Sequence, residues 1–271
     1  MPIATIRLGS IGVSRLIIGG NPFSGVSHQN PETDLAMKRF FTVERIKRTL
    51  RSAEELGITA FIGRADRHIT RLLSEYWSEG GSIRWIAQTC PEMVSAARSI
   101  EDSVSGGAVA CYLHGGVMDN LFARGELEEI PGLIRMIRDA GLPAGIAAHN
   151  PEVIEWAEQN LDVDFYMCSY YNAAHRDQTA ELRSGMAEWF NDADRDAMVS
   201  LIRRLSKPAI HYKIFAAGRK NPKDAFEFAA RHLRPGDGVC IGVYQEHKPG
   251  MVAEDVRLFE EYIRFPLEKA V

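Results

Sequence analysis

Short apolar runs alternate along the chain with longer stretches in which apolar positions recur every three or four residues. The apolar runs are residues 15–20, 59–63, 83–88, 108–114, 143–149, 163–169, 208–214 and 238–244. The stretches between and after them are 43–56, 69–79, 93–105, 125–140, 151–160, 193–205, 222–233 and 251–263. The short runs are typical of buried strands, and the longer period is typical of amphipathic helices.

Local signals place several helix ends. Asn150-Pro151 and Asn221-Pro222 each put an N-cap residue before a proline at the first helical position. Gly57 and Gly141 stand where helices are expected to end.

Strict alternation of strand and helix predicts a parallel sheet with helices outside it. Eight such units in a chain of 271 residues match a closed (β/α)₈ TIM barrel, so we expect one barrel domain over residues 1–271. A doubly wound open sheet is the alternative, but no G-x-G-x-x-G turn follows the first strand.

Two connections are long, residues 21–41 and residues 172–192. Both follow strands, so both are expected over the C-terminal face of the barrel, where such folds hold their active sites. We interpret them as loops that cover a small-molecule pocket; the alternative is a pair of surface loops without function.

Composition narrows the class of partner. The formal net charge is −4, so no overall basic field attracts nucleic acid or anionic lipid, and no apolar run is long enough to span a bilayer. The four cysteines match no zinc-binding spacing and are interpreted as reduced thiols of a cytoplasmic protein. The expected partner is a small-molecule substrate, and nothing indicates an oligomeric state.

Polar residues gather at the predicted strand ends. Alternate strand residues point the same way, so parity separates the barrel lumen from the outer face. Because the outer face packs on helices, we expect the polar parity class in the lumen. This class comprises Tyr112 and His114, then Gly145, Ala147 and His149, then Ala209, His211 and Lys213.

Other strand ends add to the same cavity. The predicted catalytic residues are His114, His149, Lys213, Gln88, Asn21 and Asp66. Each has a structural alternative when taken singly: a hydrogen-bonded histidine, or a lysine in a buried ion pair. Their convergence at one end of the barrel favours an active site, because buried polar groups are costly.

Imidazoles and carboxylates in this set also suit a divalent metal. The predicted ligands are His68, His114, His149 and Glu246, with Asp66 as a further candidate. A metal bound there would polarise a carbonyl or hydroxyl group of the substrate, and Lys213 would act as an acid, a base or a Schiff-base nucleophile.

Several segments in order along the chain resemble the aldo-keto reductase family. They are "IRLGSIGVSRLIIGG", "GITAFIGRADRHITRLLSEYW", "CYLHGG", "VDFYMCSYYN", "YKIFAAGRK" and "VCIGVYQEHKPGMVAEDV". The resemblance implies a TIM barrel whose bottom is closed by an N-terminal β-hairpin, with NADP as the cofactor. It implies cofactor contacts from the loops after the seventh and eighth strands, at Gly218, Arg219, Lys220, Lys248 and Asp255.

The family's catalytic residues are mostly not matched. Its histidine corresponds to His114, whereas its aspartate falls on or near Ile62 and its lysine near Thr89. Its tyrosine, the proton donor, falls near Arg67 or His68. The resemblance therefore implies the family's fold more strongly than its chemistry.

Three hypotheses follow. The first is a non-redox enzyme, an isomerase, lyase or hydratase, with metal- or lysine-assisted acid–base chemistry on a polyol, sugar-like or carbonyl substrate. The second is an NADP-dependent oxidoreductase with His68 or His114 as the altered proton donor. The third is an inactive barrel that only binds its ligand.

Overall fold

The computed structural model describes residues 3–91, 93–174 and 188–263, and within them eight parallel strands close into a barrel. These strands are β3 (Leu16–Gly19), β4 (Ala60–Arg64), β5 (Arg84–Gln88), β6 (Ala110–Leu113), β7 (Ala144–Ala148), β8 (Phe165–Ser169), β9 (Ala209–Tyr212) and β10 (Gly238–Gly242). Neighbours in sequence are neighbours in the ring, and β10 pairs with β3 to close it. The predicted (β/α)₈ barrel is confirmed.

An antiparallel hairpin precedes the barrel. Its strands are β1 (Thr5–Leu8) and β2 (Ile11–Ser14), with Thr5 opposite Ser14. Ile6, Leu8 and Val13 belong to the apolar cluster that fills the barrel lumen. The hairpin thus plugs the end of the lumen opposite the C-terminal face, as the resemblance implied.

The described helices surround the barrel. They are α1 (Pro31–Phe40), α2 (Val43–Glu55), α3 (Arg67–Ser78), α4 (Ala96–Ser105), α5 (Gly115–Arg124), α6 (Ile130–Asp139), α7 (Pro151–Asn160), α8 (Asp192–Ile202), α9 (Pro222–His232) and α10 (Met251–Tyr262). The predicted caps are present: Asn150 accepts a hydrogen bond from the amide of Glu152, and Asn221 accepts one from Lys223. No helix among the described residues is long and apolar enough to cross a membrane.

Two helices were not predicted. Helix α1 lies inside the predicted loop 21–41, where Asn30 caps it through the amide of Thr33. Helix α5 begins directly after His114 with Gly115 and Gly116, residues of low helix propensity. Close packing explains why position 115 is a glycine, because a Cβ on Gly115 would lie 3.3 Å from both Ala147 Cβ and the Tyr212 hydroxyl. Of the predicted loop 172–192, residues 175–187 lie outside the described residues.

Strand parity is confirmed on β6 and β7 and wrong on β9. Tyr112 and Ala147 belong to the lumen cluster, as predicted. On β9, Ile210 and Tyr212 face the lumen, whereas Ala209 packs in the outer layer. His211 shares that outer side, where its Nδ1 lies 3.0 Å from the Tyr170 hydroxyl. A polar residue on the outer face is tolerated because it has buried hydrogen-bonding partners there.

Candidate active site

A cavity of about 760 Å³ opens at the C-terminal ends of the barrel strands. Its volume is typical of a small-molecule site. All six predicted catalytic residues line it: Asn21, Asp66, Gln88, His114, His149 and Lys213. The structure therefore brings together side chains that are up to 192 positions apart in the chain, from Asn21 to Lys213.

A buried carboxylate holds one of these histidines. His149 Nδ1 lies 2.6 Å from Asp119 Oδ2, and both side chains are almost fully buried. Asp119 also accepts hydrogen bonds from the backbone amides of His149 and Asn150. The pair fixes the ring orientation and places Nε2 on the edge away from Asp119.

Asp119 was not among the predicted residues. It lies in α5, the helix that the sequence pattern did not reveal, and it meets His149 at the junction of β7 and α7. In the sequence, Asp119 is only an acidic residue five positions after a strand-end histidine, which is a weak signal for an active-site residue. It faces β7 only because the chain after His114 is helical.

Phenols and amides face the same lumen. The Tyr112 hydroxyl donates to Gln88 Oε1 at 3.0 Å, and burial raises the pKa of Tyr112 well above its ordinary value. The ring of Tyr212 meets that of His149 edge to face, with centroids 5.9 Å apart. His114 is half-buried at the N-cap of α5, where its amide donates to Thr89 Oγ1.

A second carboxylate–imidazole pair lies at the rim of the cavity. His28 Nδ1 is 2.9 Å from Glu188 Oε1, and Asn21 Nδ2 is 3.1 Å from His28 Nε2. Lys213 Nζ lies 4.0 Å from the same Glu188 oxygen. Neither His28 nor Glu188 was predicted, because both lie in the two long connections, which carry no periodic signal.

The backbone at this rim is unusual. The non-glycine residues with left-handed φ among the described residues are His28 (+57°), Lys213 (+59°), Ala216 (+49°) and Ala217 (+55°). The left-handed turn at Lys213 ends the alternation of β9, so its side chain reaches the cavity although the parity argument for it was wrong. Strained backbone that gathers at one cavity is a feature of functional sites.

The predicted metal ligands are not brought together. His68 and Glu246 are exposed and do not line the cavity, although His114 and His149 do. Asp66 caps α3 through the amide of Ile69 and also accepts from Arg64 Nε at 3.3 Å. Within residues 3–91, 93–174 and 188–263, no three histidine, cysteine or acidic side chains are grouped as metal ligands.

The predicted cofactor residues are only partly placed at the cavity. Gly218, Lys220 and Asp255 line it, whereas Arg219 and Lys248 do not. Their cationic groups already have partners. Arg219 donates to the carbonyl of His28, Lys220 binds Asp192 at 2.8 Å, and Lys248 pairs with Glu254.

These residues do not fit a dinucleotide phosphate. The cations that would receive it are engaged, and the buried carboxyl of Asp255 would face it. At the positions implied for the family's aspartate and lysine, Ile62 is an apolar lumen residue and Thr89 is a buried hydroxyl bonded to the His114 amide. We therefore derive no step through NADP.

A scan of protein-family models finds no match, and a search of curated proteins finds none either. Solved structures do match. They include a protein of Pseudomonas aeruginosa described as a "putative aldo-keto reductase", with a TM-score of 0.66, 15% identity and 96% of each chain covered.

Two further matches cover 98% of this chain. One is a glycerol dehydrogenase of Gluconobacter oxydans, with a TM-score of 0.60, 10% identity and 98% of its own chain covered. The other is an aldo-keto reductase of Bacillus halodurans in its holo form, with a TM-score of 0.59, 14% identity and 92% of its own chain covered. The chain therefore has the barrel fold of the aldo-keto reductases in a divergent form.

Proposed function

We propose that this protein is a small-molecule enzyme that performs non-redox acid–base chemistry with His149 as the proton-transferring group. The observation that carries the proposal is the 2.6 Å contact between His149 Nδ1 and Asp119 Oδ2 beside the cavity. A buried carboxylate that orients an imidazole and stabilises its protonated form is a recurrent arrangement for a general base.

The neighbouring groups have complementary roles in this proposal. His149 Nε2 removes a proton from a carbon next to a carbonyl group, and the electron pair of the broken C–H bond moves onto the carbonyl oxygen. The ammonium group of Lys213 stabilises the negative charge on that oxygen. Where that carbon carries a hydroxyl group, the hydroxyl proton moves to the former carbonyl oxygen and His149 returns the abstracted proton to the former carbonyl carbon. The carbonyl group is thereby shifted by one position without an oxidant or a reductant.

The cavity surface supports a polyol, sugar-like or hydroxycarbonyl substrate. Its upper part carries amide, imidazole and phenol groups, including Gln88, His114 and Tyr112. Its lower part is closed by apolar side chains such as Ile62 and Met167. Several hydroxyl groups could thus be hydrogen-bonded while the reacting carbon is kept from bulk water.

Solvent deuterium exchange tests the proposal without knowledge of the natural substrate. Dihydroxyacetone, glyceraldehyde and erythrulose are incubated with the protein in D₂O, and deuterium at the carbon next to the carbonyl is followed by NMR. We expect exchange with the wild type and a loss of about 10²-fold or more in His149→Ala. His247→Ala is the matched control, because that imidazole is exposed and outside the cavity lining.

The alternatives predict different results. Equal exchange by the wild type and His149→Ala, or no exchange above the rate without protein, would reject the proposal. Oxidation of NADPH by the same carbonyl compounds would favour the oxidoreductase alternative. Binding of these compounds without exchange or oxidation would favour an inactive barrel.

A further inference from the structure

The cavity extends to a second region, away from His149. There it is lined by residues of the β10–α10 connection, of α10, of the segment before α9 and of the first turn of α9, namely Lys220, Pro222, Tyr244, Met251 and Asp255. Strand β10 is three places from β7 in the ring, so this region is distinct from the strand end that carries His149.

Asp255 is the buried titratable group of this region. Its side chain is 2% exposed, and its Oδ2 atom has no hydrogen-bond partner among the described residues. A buried carboxyl oxygen without a partner costs free energy, so such groups usually have a ligand or a function.

The charges around Asp255 favour a cation. Lys248 is paired with Glu254, the neighbour of Asp255 in α10, and Lys220 is paired with Asp192. Lys248, Glu254 and Asp255 sum to a formal charge of −1 when Asp255 is ionised, and the Lys220–Asp192 pair adds no net charge. A phosphate would be repelled by that surplus, whereas an ammonium group would neutralise it.

The rest of the region suits the carbon skeleton of such a ligand. The ring of Tyr244 and the ring of Pro222 line the same cavity, as does the thioether of Met251, one helical turn before Asp255. Apolar walls around one charge exclude water and strengthen the attraction for an opposite charge.

We propose that Asp255 binds a protonated amino group of the substrate, so that the substrate belongs to the amino sugars or amino polyols. This inference rests on the proposed function, since it assigns the second region of the cavity to the same ligand whose carbonyl end meets His149. Asp255 is then a specificity-determining residue that does not touch the reacting carbon.

Binding of three matched sugars tests the assignment. 6-Amino-6-deoxyglucose, glucose and 6-acetamido-6-deoxyglucose differ in the group at C6, the carbon farthest from the carbonyl end, and only the first carries a basic amine. We expect 6-amino-6-deoxyglucose to bind the wild type about tenfold or more tightly than either of the others, as measured by calorimetry at pH 7 and by the thermal midpoint. In Asp255→Asn the preference should fall below about twofold.

Two variants serve as controls. Glu260→Gln removes an exposed carboxylate from the same helix and should keep the preference for 6-amino-6-deoxyglucose. His149→Ala should lose deuterium exchange yet keep the preference, which separates failure of the proposed chemistry from failure of the amine site. A circular dichroism spectrum checks that each variant is folded.

Three outcomes would overturn the inference. The first is equal binding of the three sugars by the wild type. The second is a preference for 6-amino-6-deoxyglucose that survives in Asp255→Asn. The third is tighter binding of NADPH than of 6-amino-6-deoxyglucose, in a manner that depends on Asp255, because it would assign the region to a dinucleotide.

Discussion

Three buried aspartates show how surroundings give one residue type three different tasks. Asp119 orients His149, Asp237 joins charged groups in the outer layer, and Asp255 has an oxygen without a partner among the described residues. Burial alone raises the pKa of a carboxyl, and partners lower it again. The balance between these effects therefore separates structural from ligand-binding aspartates.

Replacement of Asp119 should affect activity and stability separately. Asp119→Asn keeps the shape but loses the charge that stabilises protonated His149, so we expect deuterium exchange to fall about 10²-fold or more. Asp119→Ala also leaves the amides of His149 and Asn150 without their acceptor, and should lower the free energy of unfolding by about 2–4 kcal/mol. Urea denaturation measures this loss, and an unchanged midpoint in Asp119→Ala would contradict it.

Asp255 should make stability depend on pH. Burial, together with the charge of Glu254, raises the pKa of Asp255 to about 7, and Lys248 opposes the rise. A raised carboxyl pKa stabilises the folded state at low pH, and this contribution is lost as the pH rises from about 4 through 7. The side chain at position 255 cannot ionise in Asp255→Asn. As the pH rises over this range, the free energy of unfolding of this variant should therefore increase relative to that of the wild type, by on the order of 1–3 kcal/mol.

Parallel denaturation series at pH 4 and pH 8 measure this difference. Glu260→Gln is again the matched control, and its free energy should follow that of the wild type. A constant difference between Asp255→Asn and the wild type at both pH values would show that Asp255 titrates normally.

At the scale of elements, the rim connections hold one another in place over the cavity. The loop after β3 reaches the β9–α9 connection through Gln29, which donates to the carbonyl of Ala217. It reaches the segment before α8 through the His28–Glu188 pair. Loops whose contacts are mainly with other loops can support strained backbone only where several bonds act together.

Relief of this strain should be measurable at Ala217. Its φ of +55° suits glycine better than alanine, so Ala217→Gly should raise the free energy of unfolding by about 0.5–1 kcal/mol. The same change at Ala148, inside β7, should lower it. Chemical denaturation of both variants measures these two opposite changes in the free energy of unfolding. A loss of stability in Ala217→Gly would contradict the strain argument.

At the scale of the whole molecule, a buried network joins the first and last parts of the barrel. Arg15, just before β3, donates to the carbonyls of Asp237 and Arg234, which precede β10. Asp237 Oδ1 accepts from the amide of Ala209 in β9. Because β10 pairs with both β3 and β9, this network stabilises the closure of the ring.

Loss of Asp237 should destabilise the closed barrel. Burial alone raises the pKa of Asp237, but His211 and Arg234 together hold it well below its ordinary value. A depressed carboxyl pKa stabilises the fold above about pH 4, and this contribution is lost as the pH falls further. Asp237→Asn should therefore lower the free energy of unfolding by about 3–5 kcal/mol at pH 7. The further loss of stability on acidification should be less steep in this variant than in the wild type.

Chemical denaturation at pH 7 and acid titration of both proteins check these effects. Asp224→Asn replaces an exposed carboxyl and should leave both curves unchanged. If Asp237→Asn unfolded in acid with the same steepness as the wild type, other carboxyls would govern the acid transition.

The period of apolar residues was sufficient to predict the barrel and its strands, because a buried parallel strand and an amphipathic helix need different patterns. It also identified His149 as a cavity residue, since strand ends on one face of a closed ring must meet. Lys213 lines the cavity too, but through the left-handed turn after β9 and not through the predicted strand parity. It could not predict α5, whose first residue Gly115 packs closely against Ala147 of β7, or the outward direction of His211, which Tyr170 makes acceptable.

The sequence by itself thus determined the architecture and the end of the barrel at which the chemistry is expected, because both depend on repeated local patterns. Only the tertiary structure decided which groups act in pairs. Asp119 meets His149, Glu188 lies between His28 and Lys213, and Asp255 lies in the cavity wall apart from them. These pairings join distant segments through side-chain contacts, and no local pattern in the chain encodes a contact of that kind.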